Sequence, residues 1–216
     1  MKDLYIIGAS GHGREVLWLL ERLGTFEVKG FMDDDISLHG SEICGMPVLG
    51  PISFLEDVGQ SAVAWGLGFP HLKALIYDRL SHLPLRWPTL VDPSVQMSSF
   101  VELGRGVTVC AGSILTTQVE VGDFALVNIS CTLSHDVTVG QMTMLSPGTH
   151  LTGNVSVGDR ANLGAGVDVI PGVRIDDDAI IGAGAVVIDD IPAGATAVGN
   201  PARVIKQRST PAPAEA

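Results

Sequence analysis

From residue 97 to residue 187, every sixth position is aliphatic or methionine: Met97, Leu103, Val109, Leu115, Val121, Val127, Leu133, Val139, Leu145, Leu151, Val157, Leu163, Val169, Ile175, Ile181 and Val187. The phase never slips. Four residues after these positions stand small or β-branched side chains, from Val101 and Val107 through Ser113, Cys131 and Thr143 to Ala185. Six is neither a helical period nor an ordinary strand period, and its persistence marks a hexapeptide solenoid. Each hexad makes one short, flat strand. Three hexads make a triangular coil, so residues eighteen apart stack at the interstrand spacing of ~4.8 Å. One inner column is then Met97, Leu115, Leu133, Leu151, Val169 and Val187, and a second is Leu103, Val121, Val139, Val157 and Ile175. Gly122, Gly140, Gly158, Gly164 and Gly182, directly after aliphatic positions, fit turns that need unusual φ. The flat sides also carry Leu, Val and Met. They are expected to pack on copies of the chain, most simply as a closed cyclic trimer.

Before residue 89 the pattern differs. "DLYIIG" reads as a strand, and Val16, Leu17, Leu19, Leu20 and Leu23 lie on one helical face over Arg14 to Leu23. "FEVKGFMDD" reads as a second strand, "PISFLEDV" as a short helix, "SAVAWGLG" as a third strand and "PHLKALIYDRLSHL" as a helix with proline at its start. Strands alternating with helices imply a parallel sheet. The expected architecture is an α/β, Rossmann-like half domain over 1–88, a parallel β-helix over 89–206 and a disordered tail over 207–216.

Composition narrows the partners. The chain has 216 residues, 46% of them apolar, and a formal charge of −11. That charge argues against nucleic acid or an anionic membrane as the main partner, since both reward basic patches. No apolar run approaches the ~20 residues that span a bilayer, and "MKDLYIIGASG" reads as a strand rather than a leader. Cys44, Cys110 and Cys131 have no metal spacing and read as reduced core thiols in a cytoplasmic protein. Lys and Arg are absent from 106 to 159 and then recur as Arg160, Arg174, Arg203, Lys206 and Arg208. They are either a patch for an anionic ligand or, in "PARVIKQR", a solvated helix end.

One histidine stands out by position. His135 lies two places after the inward Leu133 and projects from the core, with Asp136 beside it. A histidine is suited to take a proton near neutrality, and an adjoining carboxylate fixes its tautomer and raises its basicity. One coil further on lies Gly153, where a missing side chain lets a substrate approach the backbone and the N–H can stabilise an oxyanion. His150 near the next turn is the rival base, and reads as structural.

"IIGASGHG", "GFMDDD", "GMPVLG", "SHDVTVG", "LSPGTHLTGNVSVGD", "LGAGVDVIPGV", "IGAGAVVIDDIP" and "GNPAR" together resemble the sialic acid O-acetyltransferase (NeuD)-type sugar O- and N-acetyltransferases, which include the enzymes acting on UDP-4-amino sugars. The resemblance runs from about residue 3 to residue 206. It implies a left-handed helix, a trimer with active sites between subunits, acetyl-CoA as co-substrate and a nucleotide sugar as acceptor in glycan biosynthesis. By position it implies His135 as general base with Asp136 as its partner. It implies nucleotide-sugar contacts at Ser10, Gly11, His12, Asp33, Asp34 and Gly66, and acetyl-CoA contacts near Met144, Ala165 and Ala183. Direct transfer, with no acetyl-enzyme, is the simpler chemistry.

Gly8, Gly11 and Gly13 are spaced GxxGxG, not the GxGxxG of the dinucleotide fingerprint. The turn opens a helix whose free N–H groups and dipole attract phosphate. The second half of a dinucleotide fold is missing, so a nucleotide-sugar diphosphate is expected there, with no NAD and no metal. Other classes remain in view: a serine-type or sialic acid O-acetyltransferase, a γ-type carbonic anhydrase needing three histidine ligands, and a non-enzymatic trimeric nucleotide-sugar scaffold.

Overall fold

The computed structural model describes residues 2–208, in two packed units. The first is a five-stranded sheet of order β3-β4-β2-β1-β5, formed by β1 (Lys2–Ile7), β2 (Phe26–Met32), β3 (Glu42–Ile43), β4 (Met46–Gly50) and β5 (Ala62–Trp65). All neighbours pair in parallel except β3 with β4. Helices α1 (Gly11–Leu23), α2 (Leu55–Val58) and α3 (Pro70–Leu80) complete the unit. The apolar stripe of α1 is buried at Val16, Leu17, Leu19 and Leu20, and Gly24 ends the helix in the left-handed region. The β3–β4 hairpin adds a strand pair to the expected elements. Its turn holds Cys44, which is exposed rather than in the core, while Cys110 and Cys131 are buried free thiols.

The second unit is the left-handed parallel β-helix. Its three faces are an eight-stranded sheet that includes Leu90–Val91 and Met144–Leu145 (face 1), a six-stranded sheet that includes Thr132–Leu133 (face 2) and a five-stranded sheet that includes Thr138–Val139 (face 3). Register is the expected eighteen: Leu115 pairs with Leu133, Leu133 with Leu151, Leu151 with Val169 and Val169 with Val187. The inner columns are buried from Val109 to Val187. Met97 departs from this at 49% exposure, because the first coil has no full coil beneath it. The last strand, Arg203–Gln207, returns antiparallel to Ala195–Val198. "PARVIKQR" is therefore strand rather than helix end, and the boundary expected at 206 falls inside it. Residues 209–216, the rest of the expected tail, lie outside the described residues.

The glycines after aliphatic positions have a different cause from the one expected. Gly122, Gly140, Gly158, Gly164 and Gly182 are absent from the left-handed positions. A Cβ on Gly122 would stand 2.7 Å from the Gln141 nitrogen, and one on Gly140 would strike Gly158 and Asp159 of the next coil. They are glycine because the coils touch there, while the left-handed turns fall elsewhere, on Gly148 and Gly166 and on Asp136, Met142 and Asn154.

The units dock through an aromatic cluster. Trp65 stacks on Trp87 at 4.5 Å, and Phe124 at a solenoid corner meets Trp87 at 5.2 Å and Tyr77 of α3 at 4.9 Å. On the other side, Arg22 of α1 forks onto the buried Asp92 at 2.6 and 3.0 Å. That guanidinium, aided by Ser94, holds the Asp92 carboxyl down at about 2. Coil contact predicts unequal glycine substitutions. Gly140→Ala should cost about 2 kcal/mol or more by forcing coils apart, and Gly166→Ala, with open space but left-handed φ, about 1 kcal/mol. Urea unfolding of both variants checks the order, and equal costs would remove coil contact as the cause.

Candidate active site

The glycine turn is built by close backbone approach. A Cβ on Gly13 would collide with the Gly8 carbonyl, and one on Gly66 with the same carbonyl and, at 2.9 Å, with the Gly13 Cα. The start of α1 and the ends of β1 and β5 therefore meet as bare backbone. Gly66 is buried behind the turn, whereas Ser10 and Gly11 are exposed at its crest. Ser10 is the N-cap residue of α1 but its side chain caps nothing, and its Oγ lies 3.5 Å from Gly66 O. The first intrahelical bond runs from Arg14 N–H to Ser10 O at 3.2 Å. The N–H groups of Gly11, His12 and Gly13 therefore precede the helical ladder, the arrangement that receives anions.

Asp33 supports this turn from behind, whereas Asp34 ties α3 to the loop after β4. Asp33 accepts from the N–H groups of Ala9 at 2.8 Å and Asp35 at 2.9 Å, so each carboxylate oxygen already holds backbone. Asp34 accepts from Arg79 at 2.7 Å and from Ile52 N–H at 3.0 Å. Partial burial would raise its pKa, but Arg79 and the Ile52 N–H together hold it below the ordinary carboxylate value.

A cavity of about 380 Å³ opens between the two units. From the α/β unit it is lined by Ser10, His12, Glu15, Leu67, Gly68, Phe69 and Leu72, and from the solenoid by Leu126, Asn128 and Met144. Two residues expected at the acceptor sugar nucleotide, Ser10 and His12, thus share a cavity with Met144, expected near acetyl-CoA. The His12 Nδ1 lies 3.1 Å from Glu15, and its side chain is 13% exposed. Burial lowers the His12 pKa, against the pull of Glu15, and the charge of Lys73 lowers it further. The cavity's imidazole is accordingly biased toward its neutral form.

Sequence reasoning missed Asn128. It is buried, and its Oδ1 accepts from Ile129 N–H at 2.7 Å, which fixes the side chain at the cavity wall. Its place directly after the inward Val127 was the available signal. Lys73 of α3 was also missed, because a lysine in a helical pattern reads as solvated. It is 1% exposed, and its Nζ donates to Phe124 O at 3.0 Å. Burial lowers its pKa to about 7.

His135 and Asp136 sit elsewhere, on the corner between faces 2 and 3. Asp136 adopts left-handed φ of 58°, and its Oδ2 lies 2.7 Å from His135 Nδ1. With that nitrogen donating, Nε2 is left as the acceptor. The ring sits against Gly153 of the next coil: a Cβ there would strike His135 Cε1 and Nε2. The space expected to admit a substrate over Gly153 is filled by the imidazole itself, and Gly153 is buried beneath it. His150, on face 2, is held by Thr132 Oγ1 at 2.8 Å. Ala165 and Ala183 are exposed and stacked in successive coils on the corner between faces 1 and 2, with Gly184 N–H bonded to Ala165 O at 2.8 Å. Within one chain, therefore, the candidate residues fall into a cavity group, a corner row and the His135 pair. The basic residues after 159 are largely matched: Arg160 with Asp178 at 2.8 Å, Arg174 with Asp176 at 3.0 Å and Arg203 with Asp189 at 3.3 Å.

The buried Lys73 makes stability depend on pH. Its folded pKa of about 7 lies below its ordinary 10.5, so between these values the unfolded chain binds the extra proton. Stability should rise as pH goes from 7 toward 10.5, by up to on the order of 5 kcal/mol. Thermal unfolding across that range checks this, and Lys73→Met should flatten the rise.

Residues 3–80 match the PglD N-terminal domain family, and residues 154–188 match the hexapeptide repeat of succinyl-transferase. No curated protein sequence matches. Among solved structures, a histidine variant of perosamine N-acetyltransferase from Caulobacter crescentus, in complex with CoA and GDP-perosamine, is 33% identical with a TM-score of 0.88, over 96% of this chain and 98% of that one. WeeI from Acinetobacter baumannii is 28% identical with a TM-score of 0.85, over 95% of this chain and 100% of that one. The acetyltransferase domain of PglB from Neisseria gonorrhoeae, in complex with acetyl coenzyme A, is 31% identical with a TM-score of 0.74, over 94% of this chain and 99% of that one. With its glycine turn, its unbroken hexapeptide helix and these near full-length likenesses, the chain belongs to the NeuD/PglD-type family of sugar acetyltransferases.

Proposed function

We infer that this protein is an acetyl-CoA-dependent acetyltransferase that moves an acetyl group to the amino group of a nucleotide-activated sugar, with His135 as general base. The observation that carries the reading is the composite cavity, in which the free N–H end of α1 faces solenoid residues, on a chain that aligns end to end with an enzyme holding CoA and GDP-perosamine. The sugar nucleotide's diphosphate rests on the Ser10 to His12 turn, with Asp33 and Gly66 fixing that turn from behind. CoA runs along the exposed row of Ala165 and Ala183 toward Met144.

His135 lies on a corner away from this cavity in its own chain. A homotrimer resolves the separation: the base is supplied across a subunit boundary to a neighbour's cavity. Met97, Phe100, Ile114, Ile170 and Ile188, exposed on face 2 and its corner, are apolar enough to form that boundary. Both co-substrates are products of cytoplasmic metabolism, and the buried thiols fit that compartment.

The chemistry then follows from the corner geometry. Asp136 fixes the His135 tautomer, and Nε2 removes a proton from the acceptor amine as its nitrogen attacks the thioester carbon. The tetrahedral oxyanion that results is not held at Gly153 as expected, because the His135 ring covers that glycine. Collapse expels the CoA thiolate, which takes up a proton. No side-chain nucleophile is needed. The perosamine enzyme has also been crystallised with one histidine replaced by asparagine or alanine, the residue type assigned here to the base.

His135→Ala should lower kcat by about 10²–10⁴-fold while oligomer mass and nucleotide-sugar affinity hold, read as free thiol released from acetyl-CoA with GDP- and UDP-amino sugars. An unchanged rate would remove His135 as the base, and no thiol release by the wild-type protein with any of these sugars would leave the non-enzymatic scaffold as the better reading. Gly153→Ala should displace the ring and lower kcat by roughly 10–100-fold with little change in melting temperature. A Gly153→Ala enzyme at full rate would mean that seating the imidazole on a bare backbone is immaterial.

A further inference from the structure

The cavity between the units contains a charge problem. A nucleotide sugar brings two negative charges on its diphosphate diester, yet among the described residues no lysine or arginine lines the cavity, and Glu15 adds an acidic side chain to it. Directly behind the wall lies a cation with the opposite problem. Lys73 follows Leu72, a wall residue, but points inward, and among the described residues its only hydrogen-bond partner is the Phe124 carbonyl. The titratable groups that feel its charge are His12 from α1 and Cys110 from the solenoid, with Glu15 acting on both and Asp92 and Cys131 on Cys110. On its own helix His71, Asp78 and Arg79 are exposed. No carboxylate pairs with it among the described residues. The field of Lys73 nonetheless reaches the cavity, since it disfavours the proton on His12.

We propose that Lys73 is a positioning residue of the nucleotide-sugar site: it ties α3 and its wall residues to the solenoid through Phe124 O, and its buried ammonium is the counter-charge for the bound diphosphate, so that ligand and proton bind together. The proposal rests on the cavity being the nucleotide-sugar site. An ammonium buried among carbonyl and apolar groups is costly unless an anion arrives. A dianion in the adjoining low-dielectric cavity stabilises it, and linkage requires the reverse. Burial already brings Lys73 to about 7 in the free protein, so part of the population is neutral at physiological pH and gains a proton on binding.

The sign is definite. Affinity is greatest where free Lys73 is already protonated and falls as pH rises above 7. Calorimetry of the full chain with GDP-hexoses and UDP-hexoses, whose diphosphate charge is constant from pH 6.5 to 8.5, is run in two buffers of different ionisation enthalpy. The expected result is uptake of roughly half a proton or more at pH 7.5 and affinity about tenfold weaker at pH 8.5 than at 6.5. Lys73→Met should bind more weakly and without uptake. Lys73→Arg, permanently charged, should bind with no pH slope and serves if the Met variant does not fold. His12→Gln should retain the uptake. Binding without proton uptake in the wild type, or uptake lost in His12→Gln and kept in Lys73→Met, overturns the role of Lys73 while leaving the cavity assignment intact. If no nucleotide sugar binds at any pH, the cavity assignment and the role of Lys73 fall together.

Discussion

Register between coils is the constraint on which everything else in this molecule depends. A hexapeptide helix has no core in the usual sense, only columns one side chain wide. Leu115, Leu133, Leu151, Val169 and Val187 are buried because each lies over the last, and one inserted residue would turn every later inward side chain to solvent. The same register fixes distances along the surface. His135 meets the Cα of Gly153, and Asp159 caps Gln141, because one coil separates them. Surface groups on such a scaffold inherit the precision of the ladder beneath them, which suits an imidazole that must be held in one orientation.

The α/β unit works differently. Its parallel sheet brings the start of α1 close to the ends of β1 and β5, and bare backbone at Gly8, Gly13 and Gly66 is the condition for that approach. Its position on the solenoid is set by contacts of unlike kind on opposite sides: aromatic stacking around Trp65, Trp87, Tyr77 and Phe124, and the fork of Arg22 on Asp92. The apolar cluster supplies most of the burial, and the ion pair restricts rotation. The cavity is a product of this docking rather than of either unit, and for that reason it joins helix N–H groups to solenoid side chains.

Legibility in the sequence followed the dimensionality of each feature. The solenoid was readable because its period is one-dimensional, and the columns named from spacing are the columns that pair. The β3–β4 hairpin was not, since two-residue strands around Cys44 and Gly45 carry almost no pattern. Glycine at 122 or 140 was readable as a constraint but not as to kind, because a left-handed turn and a backbone collision leave the same letter. Lys73 was invisible for a three-dimensional reason, since its ammonium is held by Phe124 O of the other unit, whereas Asn128 carried only the weak signal of following an inward valine. The pairing of His135 with Asp136 was legible because its partners are adjacent in the chain, whereas Lys73 acts on His12 from a different helix of the same unit, far along the chain.

The antiparallel return of Arg203–Gln207 on Ala195–Val198 has a consequence for the protein's life at high concentration. A stack of parallel coils is open at its ends, and an open end offers unpaired N–H and C=O groups to any strand that arrives, including another copy's first coil. Here the direction of the chain reverses, and the outermost strand presents Arg203 and Lys206. A strand running the wrong way, with like charges along it, is a poor template for continuing the spiral. The enzyme therefore stops its own growth, and an architecture one step from a fibre remains a discrete particle.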